Sequence, residues 1–406
     1  MPIKPLLKTG LTVFLIFLSS CSFFLPKTAE RIETVGFEKV PDQEWPQLED
    51  DLDLSGLEQA LGRSLDYYRN QPPDRSFSLG IREVSVEELL DGLLLFQETI
   101  RNNPDRSTLR RQLHSRFDLY RPIQNDAPVP VLLTGYYEPT LQGSRKPSSR
   151  FRHPVYSLPD DLLIVDLEKF SKKYEGQKLR ARLEDHRVLP YFSRKEIDQD
   201  GRLEGRNLEI VWVDDALKLF FMHIQGSGQV RLEDGSLIKL GYHGTNGQAY
   251  FPVGRELIRR GAIKAEDMSL QSIYAYLKDH PEEQAAVLNL NPSYVFFRER
   301  ENGPYGSLGL PLAAGRSVAA DQKIFPPAGL FWLSGWKPVL DEQGQIRSWV
   351  PFSRWVCVHD SGGAIKGPAR IDLFTGEGEE AETTAGHLRH QGTFFLLLKK
   401  EKGPDL

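Results

Sequence analysis

A mainly β protein with flanking helices, one β-domain inserted between two parts of another, is the fold class this sequence predicts. Three observations predict it. The front, through Ile100, carries helical periodicity behind two capping signals. From Val129 onward the pattern changes to short apolar runs broken by glycine and proline. After two further helical stretches, a strand-rich pattern returns from Tyr294 to Leu398.

Taken in order, Ser55 and Glu58 form a capping box, and Leu54, Leu57, Leu61, Leu65 and Tyr68 recur at helical spacing. A second box, Ser85 with Glu88, opens the helix through Ile100. Val129-Pro-Val-Leu-Leu-Thr, Leu208 to Val213, Leu217 to Ile224 and Val230-Arg-Leu read as strands, a barrel-like signature rather than a parallel α/β one. Helical character returns at Gly254 to Arg260 and Leu270 to Leu277, and again around Glu379 to His390. Residues 53–138 and 266–400 are thereby assigned to the outer domain and 139–265 to the insert, with residues 22–52, polar and proline-dotted, as a tether.

The amino terminus says where the protein works. Lys4 and Lys8 precede a short apolar core, Leu11 to Leu18, and Leu18-Ser-Ser-Cys21 places small residues before a cysteine, as in a bacterial lipoprotein signal over residues 1–21. The run is too short to span a bilayer, so the expected anchor is lipid on Cys21, with an incidental cysteine after an ordinary secretory signal as the alternative. By analogy with other lipoproteins, Ser22 in place of aspartate favours the outer membrane. The second cysteine, Cys357, then has no partner in the chain; it reads as core, with a Cys357/His359 nucleophile pair as the lesser alternative. A formal charge of −5 and no basic stripe with interleaved aromatics argue against nucleic acid as a partner.

Near the end of the chain, Asp360-Ser-Gly-Gly-Ala-Ile-Lys-Gly-Pro-Ala-Arg-Ile-Asp372 sets two aspartates around a glycine-rich turn bearing Lys366, between runs that read as strands. Stiff backbone holds a carboxylate still, and small residues such as Gly362 and Gly363 let a polymer approach. Aspartates capping the turns of a hairpin are the alternative reading. Tyr136 and Tyr137, Gln225, Gly226 and Ser227, and Tyr242, Asn246, Gly247 and Gln248 supply aromatic rings, amides and hydroxyls on glycine-rich loops, residue types suited to binding; the same features fit hairpin turns with core tyrosines. Glu138 is the rival acid in this group. A zinc His-Glu-x-x-His, a phosphate loop and a Gly-x-Ser-x-Gly elbow are missing, and no metal or organic cofactor is implied.

The segment from Asp360 to Asp372 resembles the carboxy-terminal three-aspartate domain of MltA-type membrane-bound lytic transglycosylases. The resemblance extends through Thr134-Gly-Tyr-Tyr-Glu-Pro, Ile224-Gln-Gly-Ser-Gly, Gly241-Tyr-His-Gly-Thr-Asn-Gly, Asn291-Pro-Ser-Tyr-Val-Phe-Phe and the run from Pro311 to Asp321, in one order. It implies a double-psi β-barrel built from both chain ends, a smaller inserted barrel and a cleft between them. It also implies cleavage of the bond between N-acetylmuramic acid and N-acetylglucosamine, with Asp372 as acid/base and Asp360 and Asp321 in support. Glycan strands of peptidoglycan are the implied partner, with wall-synthesis or wall-hydrolase proteins as further ones. Ser361 stands where the family often has threonine or valine, and Asp215-Ala-Leu replaces a proline-containing run. An inverting glycoside hydrolase and a non-catalytic wall-binding lipoprotein are the alternatives.

Overall fold

The computed structural model describes residues 34–102 and 105–401, and the chain from Val35 on forms a compact unit of its own. Six of its strands close on themselves in the order Arg389–Lys399, Leu330–Leu340, Ile346–Asp360, Ser317–Ala319, Arg370–Glu377 and Val131–Glu138, the last pairing back to the first. Two of these pairings are parallel and the rest antiparallel, as befits a barrel assembled from distant parts of the chain. Closure removes exposed edges; Phe331 stacks on Phe394 with centroids 4.2 Å apart on one face of the wall, and Trp332, on the other face, meets Trp355 edge-on.

Helices Leu57–Arg69 and Val86–Asn102 lie on this barrel because Leu57, Leu61, Leu65 and Tyr68 of one, and Leu89, Leu93 and Phe96 of the other, form buried stripes. The first begins differently from expectation. Gly56, with φ 73°, occupies the N-cap without a side-chain cap, because Asp53 and Leu54 also turn left-handed and the Ser55 carbonyl accepts from Arg316. Ser85 does accept the Glu88 N–H at 3.1 Å.

A second six-stranded sheet runs Val295–Arg300, Leu237–Thr245, Ser227–Leu232, Thr140–Ser144, Glu209–Val213, His153–Tyr156, and a bridge between Ser157 and Phe297 brings its two ends together. Val295–Arg300 lies beyond the expected insert boundary at 265, yet it pairs along Leu237–Thr245, so the insert's sheet reaches further. Leu217 to Ile224, expected as a strand, belongs to the helix Ala216–Gln225. Asp215 caps it through the Leu217 and Lys218 amides, and Gly226 at φ 80° ends it. Leu217, Leu219, Phe220, Phe221, Met222 and His223 are all buried, and the resulting apolar run from Leu217 to Ile224, broken only by Lys218 and His223, reads as a core strand.

The expected tether also needs correction over its second half. Val35–Lys39 is a strand paired to Phe117–Gln124, Trp45 and Leu48 are buried, and Asp50 makes a two-pronged ion pair with Arg316 at 2.6 and 2.8 Å. Arg316 is fully buried, and a charge there requires its counter-ion, so this segment is part of the body. Cys21 and the lipoprotein signal lie outside the described residues. Among the described residues, no helix is long and apolar enough to cross a membrane.

Candidate active site

The short strand Ser317–Ala319 lies between Ile346–Asp360 and Arg370–Glu377, and Ala319 stands in register with Asp360 on one side and Asp372 on the other. Two strand spacings separate the aspartate backbones, about 10 Å. Ile371 and Leu373 point into the barrel core, so Asp372 between them points outward. The next strand, Val131–Glu138, pairs Thr134 with Asp372.

Thr134 donates its hydroxyl proton to Asp372 Oδ1 at 2.9 Å, the one hydrogen bond that this carboxyl makes among the described residues. Burial pushes the Asp372 carboxyl up to about 6; the Thr134 bond and the Arg370 charge oppose it, and the Asp360 charge adds a smaller upward push. Arg370, rather than the exposed Lys366, is the cation that acts here. Such a carboxyl is half protonated near pH 6, which suits an acid that must later act as a base.

Asp360 is held differently. Its Oδ1 accepts the Ser307 and Ser361 amides at 2.7 and 2.8 Å, and its Oδ2 accepts the Tyr136 hydroxyl at 3.1 Å. Burial raises its pKa against these bonds. Tyr136, expected in sugar binding, is buried and spends its hydroxyl on Asp360. Asp321 is a third case: it accepts the Gly367 amide at 2.9 Å and the Lys323 amide at 3.2 Å, fastening the turn that carries Gly362, Gly363 and Lys366. Asp321's bonds are those of a residue that holds a turn, and it makes none to Asp372.

The other expected binding residues divide. Tyr137 packs with Ala381 and Ala385 of the helix Glu379–His387, and its amide donates to Gln225 Oε1 at 3.1 Å, tying the two sheets. Ser227 is buried at a strand start after Gly226. Asn246 donates to the carbonyls of Phe192 and Pro292, both at 2.8 Å, and accepts the Tyr294 amide at 2.9 Å. Gln248 donates to the Tyr191 carbonyl at 2.8 Å beside the left-handed Gly247, so this loop's amides hold backbone. Tyr242 is the one of these aromatics left exposed, at 45%.

Glu138, the rival acid, is buried, with Oε2 unpartnered, and burial pushes its carboxyl up to about 7, with Glu377 adding to it. Cys357 and His359 do share a strand face, but both are fully buried. The His359 ring bonds Ser64 and Ser317 at 2.9 and 2.8 Å, and burial holds it neutral with a pKa of about 3, so the pair is core. Sequence reasoning missed three residues at the site. Thr134 is detectable, two residues before Tyr136 and so on the same strand face; Ser307 acts through its backbone, which leaves no sequence signal; Arg370 lies inside the motif that carries the aspartates.

A closed barrel carries an outward-facing, hydrogen-bonded acid on its wall, and a second sheet is spliced into the chain between two of the barrel's strands. Residues 132–298 match the MltA specific insert domain and residues 316–398 the 3D domain. The chain belongs to the MltA family. It is similar to a membrane-bound lytic murein transglycosylase structure from Agrobacterium tumefaciens, with 31% identity and a TM-score of 0.73 over 90% of this chain and 98% of that one. It is also similar to E. coli MltA with bound chitohexaose, with 26% identity and a TM-score of 0.67 over 90% and 95%. Among curated proteins, membrane-bound lytic murein transglycosylase A of E. coli K12 is 34% identical over 270 residues; the match spans 66% of this chain and 65% of that relative.

Proposed function

We propose that the protein is a lytic transglycosylase of peptidoglycan, cleaving the β-1,4 bond between N-acetylmuramic acid and N-acetylglucosamine and leaving 1,6-anhydro-muramyl ends, with Asp372 as the single acid/base. The observation that carries this is one carboxyl, raised to about 6, with one oxygen engaged by Thr134 and the other free. Family membership and the chitohexaose on the E. coli relative support a glycan as substrate.

In this reading the proton rides on Asp372 Oδ2. It passes to the glycosidic oxygen as the bond from that oxygen to the anomeric carbon breaks. The C6 hydroxyl of the same sugar then attacks the anomeric carbon and gives its proton to Asp372, which restores the acid without consuming water. Glycan covering the site removes further water and raises the carboxyl's pKa more. Asp360, with its orientation fixed by Ser307 and Ser361, favours positive charge developing at the anomeric carbon. Asp321 acts by holding the turn.

An inverting hydrolase needs a second carboxylate with free lone pairs facing a water, at roughly 6.5–9.5 Å. Asp360 accepts three hydrogen bonds, which leaves it poorly suited to be that base. Lipid on Cys21, attachment to the outer membrane and association with wall-synthesis or wall-hydrolase proteins belong to the same proposal. They rest on Leu18-Ser-Ser-Cys21 and Ser22 and on the family.

Mass spectrometry of products from purified sacculi, digested by protein lacking residues 1–21, tests the reading. Anhydro-muramyl ends, absent with Asp372→Asn, are expected. Reducing ends heavier by one water make the protein a hydrolase, and intact sacculi that still bind the protein make it a wall-binding lipoprotein.

A further inference from the structure

Beside the second sheet stands a three-stranded antiparallel sheet, Leu163–Asp166, Lys178–Glu184 and Arg187–Pro190, whose two faces are reversed relative to a soluble protein's. Directly opposed residues share a face. On one face Leu179 opposes Val165, Ala181 lies between Leu163 and Pro190, and Leu183 opposes Val188. On the other, Lys178 opposes Asp166, Arg180 opposes Ile164, Arg182 opposes Leu189 and Glu184 opposes Arg187.

The charged face packs on the body at its centre, while Ile164 on it is 64% exposed and Lys178, Glu184 and Arg187 at its ends face solvent. Arg182 lies 4.3 Å from the Phe192 ring centroid, and Arg180 sits so close to Gly247 that a Cβ there would come within 2.6 Å of its own. The apolar face is left to solvent: Leu179, Leu183 and Val188 are 52%, 64% and 55% exposed. Phe170, in the segment between the first two strands, is 77% exposed. Isolated exposed apolar residues need no account, but a contiguous face of them marks an interaction site.

The border of this face is basic. Lys169, Lys172 and Lys173 are exposed beside Phe170 in the segment between the first two strands, and residues 163–188 hold seven lysines and arginines against five acids in a chain of net charge −5. Exposed leucine and phenylalanine ringed by lysine match an anionic lipid surface, whose headgroups attract the ammonium groups while the apolar side chains enter the acyl boundary. If Cys21 carries lipid, the stretch from it to Thr34 spans at most about 45 Å, which keeps the body beside a membrane and makes a weak contact effectively intramolecular.

We propose that this sheet is a membrane-docking face that lays the body on anionic phospholipid, using Leu179, Leu183, Val188 and Phe170 as the inserting residues and Lys172 and Lys173 as headgroup contacts. Docking fixes the orientation of the body, and the tether then sets its distance less than this contact does.

Co-sedimentation of the protein lacking residues 1–21 with phosphatidylglycerol/phosphatidylethanolamine vesicles, against phosphatidylcholine vesicles, is the test. Preference for the anionic vesicles is expected, with about tenfold weaker binding for Leu179→Glu/Leu183→Glu and a several-fold loss with a flatter salt dependence for Lys172→Glu/Lys173→Glu. Both positions of the leucine pair are already solvent-facing, so thermal unfolding stays at the parent temperature. Equal sedimentation of parent and variants overturns the proposal. So does a parent that is dimeric in solution and becomes monomeric with the leucine substitutions, which assigns the face to self-association.

Discussion

Asp372 on the wall of the first barrel and Asn246 on a loop of the second sheet are both polar residues near glycines, and both read as site residues for the same chemical reason. Their surroundings separate them. The Asp372 carboxyl makes one hydrogen bond among the described residues, to Thr134, whereas Asn246 spends its amide on two carbonyls and accepts a backbone amide in return. A polar side chain beside a turn is available for chemistry only when the neighbouring strands satisfy the local backbone without it. Along Arg370–Glu377 the ladders on both sides do so; past Asn246, whose amide makes the last bond to the neighbouring strand's end at Tyr294, side chains close the loop.

The largest effect that sharpens this contrast is at the acid. Asp372→Asn is expected to lower the rate of anhydro-product formation by about 10³-fold or more, with folding intact, since an amide fits the same space and removes a buried charge. Asn246→Ala should do the reverse. Loss of bonds to Phe192, Pro292 and Tyr294 is expected to cost roughly 2–4 kcal/mol in denaturant unfolding, while the turnover number of the folded fraction stays near the parent's. An Asn246 variant of unchanged stability and lost sugar affinity would break the comparison.

Glu138 tests the other acid. Its folded pKa is about 7, above the unfolded value of 4.5, so the folded state binds the extra proton and stability is lost as pH rises through that interval. Glu138→Gln should therefore stabilise the protein by about 3 kcal/mol at pH 8 and by little at pH 4, measured by urea unfolding at both. Activity falling as far as in Asp372→Asn would instead make Glu138 the acid. The smallest effect belongs to Thr134. Its bond lowers the Asp372 pKa, so Thr134→Val should move the alkaline limb of kcat/KM upward by roughly half to one pH unit, and Thr134→Ser should restore it.

Much of the architecture is legible in periodicity and punctuation. The two front helices, the strands about Val131–Glu138 and Glu209–Val213 and the helix Glu379–His387 follow from alternation, caps and glycines. What stays hidden is pairing across long sequence separations. No local pattern places Ala319 between Asp360 and Asp372, brings the Ser307 amide to Asp360, or makes Asp50 the counter-ion of Arg316. Ala216–Gln225 reads as a strand because a helix buried on nearly every side has the apolar run of a core strand. Segment 35–52 reads as a tether because its composition is polar, yet a strand pairing, the Asp50–Arg316 ion pair and the buried Phe37, Val40, Trp45 and Leu48 outweigh that composition. At the site, residue types point to the carboxylates, but which of them is free and which is engaged depends on neighbours from other strands.

The most direct test of the central claim is a carbon NMR titration of the Asp372 side-chain carboxyl in the folded protein, assigned by its loss in Asp372→Asn. A midpoint of about 6, moving upward in Thr134→Val, is the predicted result. A midpoint near 3.8, the ordinary value for an aspartate, would leave no proton on Asp372 to donate and would contradict its assignment as the acid.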